Sequence, residues 1–127
     1  MNFEDLTYKI RGAIFEVFKE LRPGLLESVY EAALIHELSQ LGIFVESQLA
    51  LPVTYKSVRL DIGFRIDLLV ENEIIIEIKS VEKLLDIHKK QLLNYLKLTN
   101  KKIGFLVNFN VTHLVDKESL LRIVNNY

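Results

Sequence analysis

The apolar positions at the start of the chain recur with the spacing of an amphipathic helix. Between residues 3 and 21 they lie three or four residues apart: Phe3, Leu6, Ile10, Ala13, Val17 and Leu21. Pro23 and Gly24 interrupt this pattern. A second helical pattern runs from about Leu25 to Leu41 and stops at Gly42. We therefore predict two helices before the first strand.

The middle and the end of the chain favour strands around one further helix. Three segments rich in Val, Ile, Leu and Phe follow one another with short connections, which predicts an antiparallel meander: Ile43–Tyr55, Arg59–Glu71 and Glu73–Val81. A helical pattern over about Leu84–Thr99 and a strand at Lys102–Phe109 then predict a right-handed parallel crossover. We expect a last short strand near Leu120–Val124. The predicted fold is α/β, with a mixed central sheet flanked by helices.

Composition narrows the class of protein. A chain of 127 residues, half of them apolar, suits one domain over residues 1–127. The absence of cysteine excludes disulfides, thiolate nucleophiles and Cys-based zinc sites. The first residues do not resemble a signal peptide, and no apolar run approaches the roughly 18 residues of a membrane helix. We therefore expect a cytoplasmic protein with no membrane partner.

The net charge of −1 argues against a strongly basic, sequence-blind coat for nucleic acid. It is compatible with an enzyme in which a local basic stripe lies beside an acidic metal site, because the two signs cancel in the sum. The chain has no P-loop, nucleophile elbow, dinucleotide fingerprint or HExxH helix. Candidate chemistry must therefore come from other residues.

Two acids and a lysine are predicted to share one patch of the sheet. A three-residue hairpin loop at Glu71–Glu73 would place Asp67 directly opposite Glu77, and Arg65 opposite Lys79. Opposed side chains point to the same face about 5 Å apart, and alternate residues of one strand share a face. Asp67, Glu77 and Lys79 would then lie together. A loop of two or four residues would break this arrangement.

Two carboxylates held this close in otherwise apolar strands need a compensating cation. A divalent metal is one solution, because carboxylate oxygens suit Mg²⁺ or Mn²⁺. The alternative is a cross-strand ion-pair ladder in which Lys79 and Arg65 neutralise the acids. The spacing of these residues leaves both interpretations open.

Polar groups also interrupt the apolar faces of two predicted helices. Glu27 lies within about 40° of Leu34, Leu38 and Leu41 around the second helix. An acid in the first turn is also favoured by the helix N-terminus, which is the simpler explanation.

On the third helix, one arc combines apolar and polar residues: Leu84, His88, Gln91, Tyr95 and Leu98. His88 alone is more often structural than a ligand, and Gln91 or Tyr95 could close a buried hydrogen-bond network. Beside this arc, three lysines repeat every seven residues, as a basic stripe or simply as a solvated face: Lys83, Lys90 and Lys97.

These residues together resemble the PD-(D/E)XK nuclease superfamily. Asp67, followed after nine residues by Glu77-Ile78-Lys79, is similar to its D…ExK signature. Glu27 in the preceding helix and the run from Gln91 to Tyr95 resemble the RecB-like branch with its QxxxY helix. The segment Gly24-Leu-Leu-Glu-Ser-Val-Tyr30 matches the motif that names the GxxExxY protein family. The resemblance covers about residues 3–125.

The resemblance implies a restriction-endonuclease-like αβββαβ core with an extra N-terminal helix. It implies that Mg²⁺ or Mn²⁺ is bound by three carboxylates and one backbone carbonyl: Glu27, Asp67, Glu77 and Ile78. It also implies that Lys79 is the catalytic lysine, with Gln91 and Tyr95 as its supporting pair.

We therefore expect a Mg²⁺-dependent hydrolase that cleaves phosphodiester bonds of nucleic acid, with DNA as the expected substrate. The backbone of the substrate would be contacted by Lys83, Lys90 and Lys97. One alternative is a catalytically inactive module on the same fold that binds nucleic acid or a protein partner. A purely structural or oligomerisation role is a further alternative. A chain this short is compatible with a homodimer, although no residue pattern demands one.

Overall fold

The computed structural model describes residues 1–126, with every side chain except those of Asp61 and Ile62. Two helices are followed by three strands, a third helix and two strands, as predicted. Their bounds are α1 Phe3–Leu21, α2 Glu27–Gln40, β1 Val45–Tyr55, β2 Val58–Val70, β3 Ile74–Lys79, α3 Asp86–Thr99, β4 Ile103–Asn108 and β5 Leu120–Val124. Helices α2 and α3 begin two residues later than predicted.

The described strands form one five-stranded sheet in the order β1-β2-β3-β4-β5. Neighbouring strands are antiparallel except β3 and β4, which pair in parallel and are connected by α3. This mixed sheet confirms the predicted fold class. Val70 pairs with Ile74, so the hairpin loop has the three residues 71–73 that the site prediction required.

The sheet carries a hydrophobic cluster on each face. The larger cluster joins the buried faces of α1 and α2 to apolar side chains of β2, β3 and β4. The smaller one joins α3 to the same strands through Leu92, Tyr95 and Leu96. A Cβ at Gly104 of β4 would lie 2.8 Å from a methyl group of Leu92, so α3 packs very closely on the sheet. Within residues 1–126 no helix is long and apolar enough to span a bilayer.

The buried face of α3 differs from the predicted arc. Leu98 is 58% exposed, while Leu92 and Leu96 are fully buried. Lys83 precedes the first residue of α3, so the three lysines do not form one helical stripe. The predicted arc was wrong here because close packing at Gly104 turns Leu92, and with it Leu96, toward the sheet.

A turn between α1 and α2 fixes the start of the second helix. Gly24 adopts a left-handed φ of 105°, which glycine tolerates without a Cβ clash. The buried face of α2 consists of Tyr30, Leu34 and Leu38, whereas Leu41 is 48% exposed. Glu27 is the first residue of this helix and is itself exposed.

Candidate functional site

Asp67 and Glu77 lie side by side where β2 and β3 separate. Backbone pairing of these strands ends at the pair Leu68 and Ile76; Asp67 comes just before Leu68, and Glu77 just after Ile76. Glu77 Oε1 accepts a hydrogen bond of 3.2 Å from the Asp67 N–H, and Asp67 Oδ2 accepts one of 2.8 Å from the Ile78 N–H. The side chains thus replace the ladder of backbone hydrogen bonds. The predicted proximity of these two acids is present in the structure.

Glu77 is a buried acid with a strongly raised pKa. Its side chain is 3% exposed, and burial, followed by the charge of Asp67, raises its pKa from 4.5 to about 9. Lys79 opposes this shift but does not cancel it. In the metal-free protein Glu77 therefore carries a proton at neutral pH.

The ion-pair ladder does not form. Among the described residues, no salt bridge joins Lys79 or Arg65 to Asp67 or Glu77. Arg65 instead donates through Nη1 to the backbone carbonyl of Gln48 at 3.0 Å. In the part of the chain that the structure describes, the two acids consequently have no salt-bridge partner.

Lys79, Gln91 and Tyr95 lie next to this acid pair. Lys79 is half-buried, and its Nζ donates to Gln91 Oε1 at 3.5 Å. Tyr95 is buried, with its ring centroid 5.3 Å from that of Phe64. Burial, then the charges of Glu77 and Asp67, raises the pKa of Tyr95 to about 12, so its hydroxyl stays neutral. The structure therefore brings together the residues predicted on β2, β3 and α3.

Glu27 contacts the chain just after Lys79. Its Oε2 accepts a hydrogen bond of 3.0 Å from the Ser80 N–H, and Ser80 Oγ donates to the Leu25 carbonyl at 2.7 Å. These two bonds tie the start of α2 to the end of β3. The role of Glu27 as a metal ligand stays a prediction, and so does that of the Ile78 carbonyl.

The tyrosine of the GxxExxY segment has a structural position. Tyr30 is fully buried; its hydroxyl donates to the Arg22 carbonyl at 2.6 Å and accepts from the Leu25 N–H at 3.1 Å. Its ring stacks on Phe109 with centroids 4.5 Å apart. Tyr30 thus holds the turn between α1 and α2, and with it the position of Glu27.

Sequence reasoning missed two residues at the site. Gln48 of β1 donates through Nε2 to both carboxylate oxygens of Glu31, at 2.9 and 3.1 Å, and lies 3.4 Å from Asp67 Oδ1. Burial raises the pKa of Glu31, with a smaller contribution from Asp67, although the Gln48 hydrogen bond lowers it. Glu31 lies one helical turn after Glu27, which was the only available signal.

The remaining predicted residues lie around this centre. His88 Nδ1 accepts a hydrogen bond of 2.9 Å from the Leu85 N–H, which caps α3 and gives this histidine its structural role. All three lysines are exposed, at Lys83, Lys90 and Lys97. Their predicted contacts with a phosphate backbone stay a prediction.

The carboxylate oxygens of Asp67 and Glu77 suit a hard divalent cation that takes two ligands from the protein. In the part of the chain that the structure describes, no group of three or more His, Cys, Asp or Glu side chains is arranged to hold a metal. Mg²⁺ does not require such a group, because it usually keeps several waters and binds one or two carboxylates together with substrate phosphates. Asp67 and Glu77 meet that requirement.

Comparison with known proteins agrees with this geometry. No curated protein matches the chain significantly. The family model of the PD-(D/E)XK nuclease superfamily matches residues 4–122, which include all of α1 but its first residue, every element from α2 to β4 and three of the five residues of β5. Because this match covers nearly all of the sequence, the chain belongs to the PD-(D/E)XK nuclease superfamily.

Proposed function

We propose that this protein is a divalent-metal-dependent nuclease that hydrolyses phosphodiester bonds of DNA. One observation carries the proposal: the buried Glu77 and the half-buried Asp67 lie side by side next to a half-buried lysine, Lys79, and among the described residues no salt bridge reaches either acid. A glutamate whose burial forces it to take up a proton lowers the stability of the protein at neutral pH, so stability alone does not explain the position of Glu77.

Asp67 and Glu77 would hold the metal ion, Mg²⁺ or Mn²⁺. When bound, such an ion polarises a phosphate and supplies an activated water. The backbone N–H groups of Asp67 and Ile78 each hold one carboxylate oxygen and so orient the other oxygen of the same group. Glu27 and the Ile78 carbonyl are the further predicted ligands.

Lys79 would stabilise the negative charge that develops on the attacked phosphate. Its ammonium group is positioned by Gln91, whose Oε1 accepts its hydrogen bond. A hydrogen-bond donor that is already in position stabilises the transition state most in a partly buried site, where water screens its charge less. Tyr95 keeps its hydroxyl proton across the physiological pH range and lies on the same helix as Gln91.

The phosphate backbone of the substrate would contact three exposed lysines: Lys83, Lys90 and Lys97. Such contacts orient nucleic acid without reading its sequence. They also fit a chain whose net charge is only −1, because the positive groups are local.

The test is cleavage of labelled single-stranded DNA, double-stranded DNA and RNA with Mg²⁺, Mn²⁺ or EDTA. We expect metal-dependent cleavage of DNA that is lost in Asp67→Asn and in Glu77→Gln. A matched control is Glu73→Gln, an exposed acid in the hairpin loop. Metal-independent binding without cleavage would favour the inactive binding module instead.

A further inference from the structure

Gln48 has an unusual backbone for a residue inside a strand. Its φ is 54°, in the left-handed region that favours glycine. The flanking pairs are Ser47 with Leu68 and Leu49 with Ile66, so Gln48 lies directly opposite Asp67 although it forms no ladder pair. Such a conformation persists only where surrounding interactions hold it, and it is often found at functional sites.

Three interactions hold Gln48 in this conformation. Arg65 Nη1 donates to its carbonyl at 3.0 Å. Its Nε2 donates to Glu31 at 2.9 and 3.1 Å and faces Asp67 Oδ1 at 3.4 Å. The left-handed backbone therefore directs one amide group between two carboxylates, one from α2 and one from β2.

The second oxygen of Asp67 is already fixed. Oδ2 accepts the hydrogen bond of 2.8 Å from the Ile78 N–H, while Oδ1 faces Gln48. Asp67 is thus held at both oxygens, and the amide that faces Oδ1 is itself anchored on Glu31. A rotation of the carboxylate would disturb both contacts.

We propose that Gln48 is a positioning residue that orients the Asp67 carboxylate for a divalent ion and links it to Glu31. The inference rests on the proposed function, because it takes Asp67 as a metal ligand. Hydrogen-bond partners of a ligand typically contribute about 10- to 100-fold to metal affinity. Gln48 acts through Asp67 and needs no contact with the ion.

The test is a calorimetric titration with Mn²⁺ of the wild type, Gln48→Ala and Gln48→Gly, beside melting curves of the metal-free proteins. Both variants lack the amide, so we expect Mn²⁺ to bind about 10- to 100-fold more weakly to each. Gln48→Gly should melt above Gln48→Ala, because glycine adopts the left-handed φ freely. Gln40→Ala, at the exposed end of α2, should bind Mn²⁺ like the wild type.

Stability and positioning are separated by the glycine variant. If Mn²⁺ affinity is unchanged in both variants, or recovers in Gln48→Gly along with the melting temperature, Gln48 has only a structural role and the inference is overturned. A wild type that binds no Mn²⁺ overturns the proposed function itself. Wild-type binding with unchanged binding in the variants refutes only the positioning role.

The link to Glu31 has its own test. Glu31→Gln should also weaken Mn²⁺ binding, and combining it with Gln48→Ala should weaken binding no further than the more severe single change. Residues that act as one unit show such non-additive effects. Full additivity of the two losses would refute the link.

Discussion

Replacing Glu77 by glutamine removes an ionisable group that the folded, metal-free protein keeps away from water. The side chain is 3% exposed and its pKa in the folded protein is about 9, against 4.5 for an ordinary glutamate. Between these two values the unfolded chain releases this proton while the folded chain retains it. The unfolded state then binds fewer protons, so the stability of the wild type falls as pH rises from about 4.5 to about 9.

The size of this effect follows from the shift. One pKa unit corresponds to about 1.4 kcal/mol, so the wild type should lose roughly 4 kcal/mol between pH 5 and pH 8 relative to Glu77→Gln. The amide has no proton to exchange in this range, and its similar volume keeps the packing. The variant should therefore be the more stable protein at pH 8.

Urea unfolding at several values between pH 5 and pH 8, in the presence of EDTA, measures this difference. Glu73→Gln, in the exposed hairpin loop, is the matched control and should follow the wild type. Adding Mg²⁺ at pH 8 should restore the stability of the wild type but not that of Glu77→Gln, because a ligand that binds only the folded state stabilises it. Parallel pH curves for the wild type and Glu77→Gln would refute the reasoning.

Three other changes test the remaining parts of the account. Asp67→Asn should raise the melting temperature of the metal-free protein above about pH 9, where Glu77 is ionised and the charge of Asp67 repels it, and calorimetry should show weaker Mg²⁺ binding. A lower melting temperature with normal Mg²⁺ binding would contradict this. Lys79→Met should keep Mg²⁺ binding but lower the cleavage rate by about 10²–10³-fold, because it removes only a hydrogen-bond donor that acts in the transition state. A variant that melts far below the wild type would show instead that Lys79 has a structural role. Tyr30→Phe should cost about 1–2 kcal/mol of stability in urea unfolding, since its hydroxyl holds the turn before α2. An unchanged free energy of unfolding would show that this hydroxyl does not hold the turn.

The sheet and the acid pair could be predicted because they depend on local rules. The order of elements follows from apolar periodicity, and the register of the β2–β3 hairpin follows from the length of its loop. Glu71 and Asn72 adopt the left-handed conformations that close this three-residue loop, with φ of 50° and 55°. Once Val70 faces Ile74, alternation along the strands brings Asp67 to Glu77.

The rest of the site depends on how distant elements meet. Gln48 reaches Glu31 only because α2 packs beside β1, and because a residue other than glycine takes a left-handed φ inside a strand. No periodicity in the sequence contains that information. The buried face of α3 was predicted wrongly at Leu98 for a similar reason, since close packing at Gly104 selects Leu92 as the contact.

The most direct test of the central claim is the anomalous diffraction of a crystal soaked in Mn²⁺. We expect a Mn²⁺ peak between Asp67 and Glu77, with an oxygen of each carboxylate about 2.1–2.2 Å away, close to the distances of Mg²⁺ sites. Lys79 should remain on Gln91 and outside the coordination sphere. The absence of a peak, or the ammonium of Lys79 or the guanidinium of Arg65 filling the gap between the two acids, would contradict the claim that this pair binds the metal ion of a nuclease.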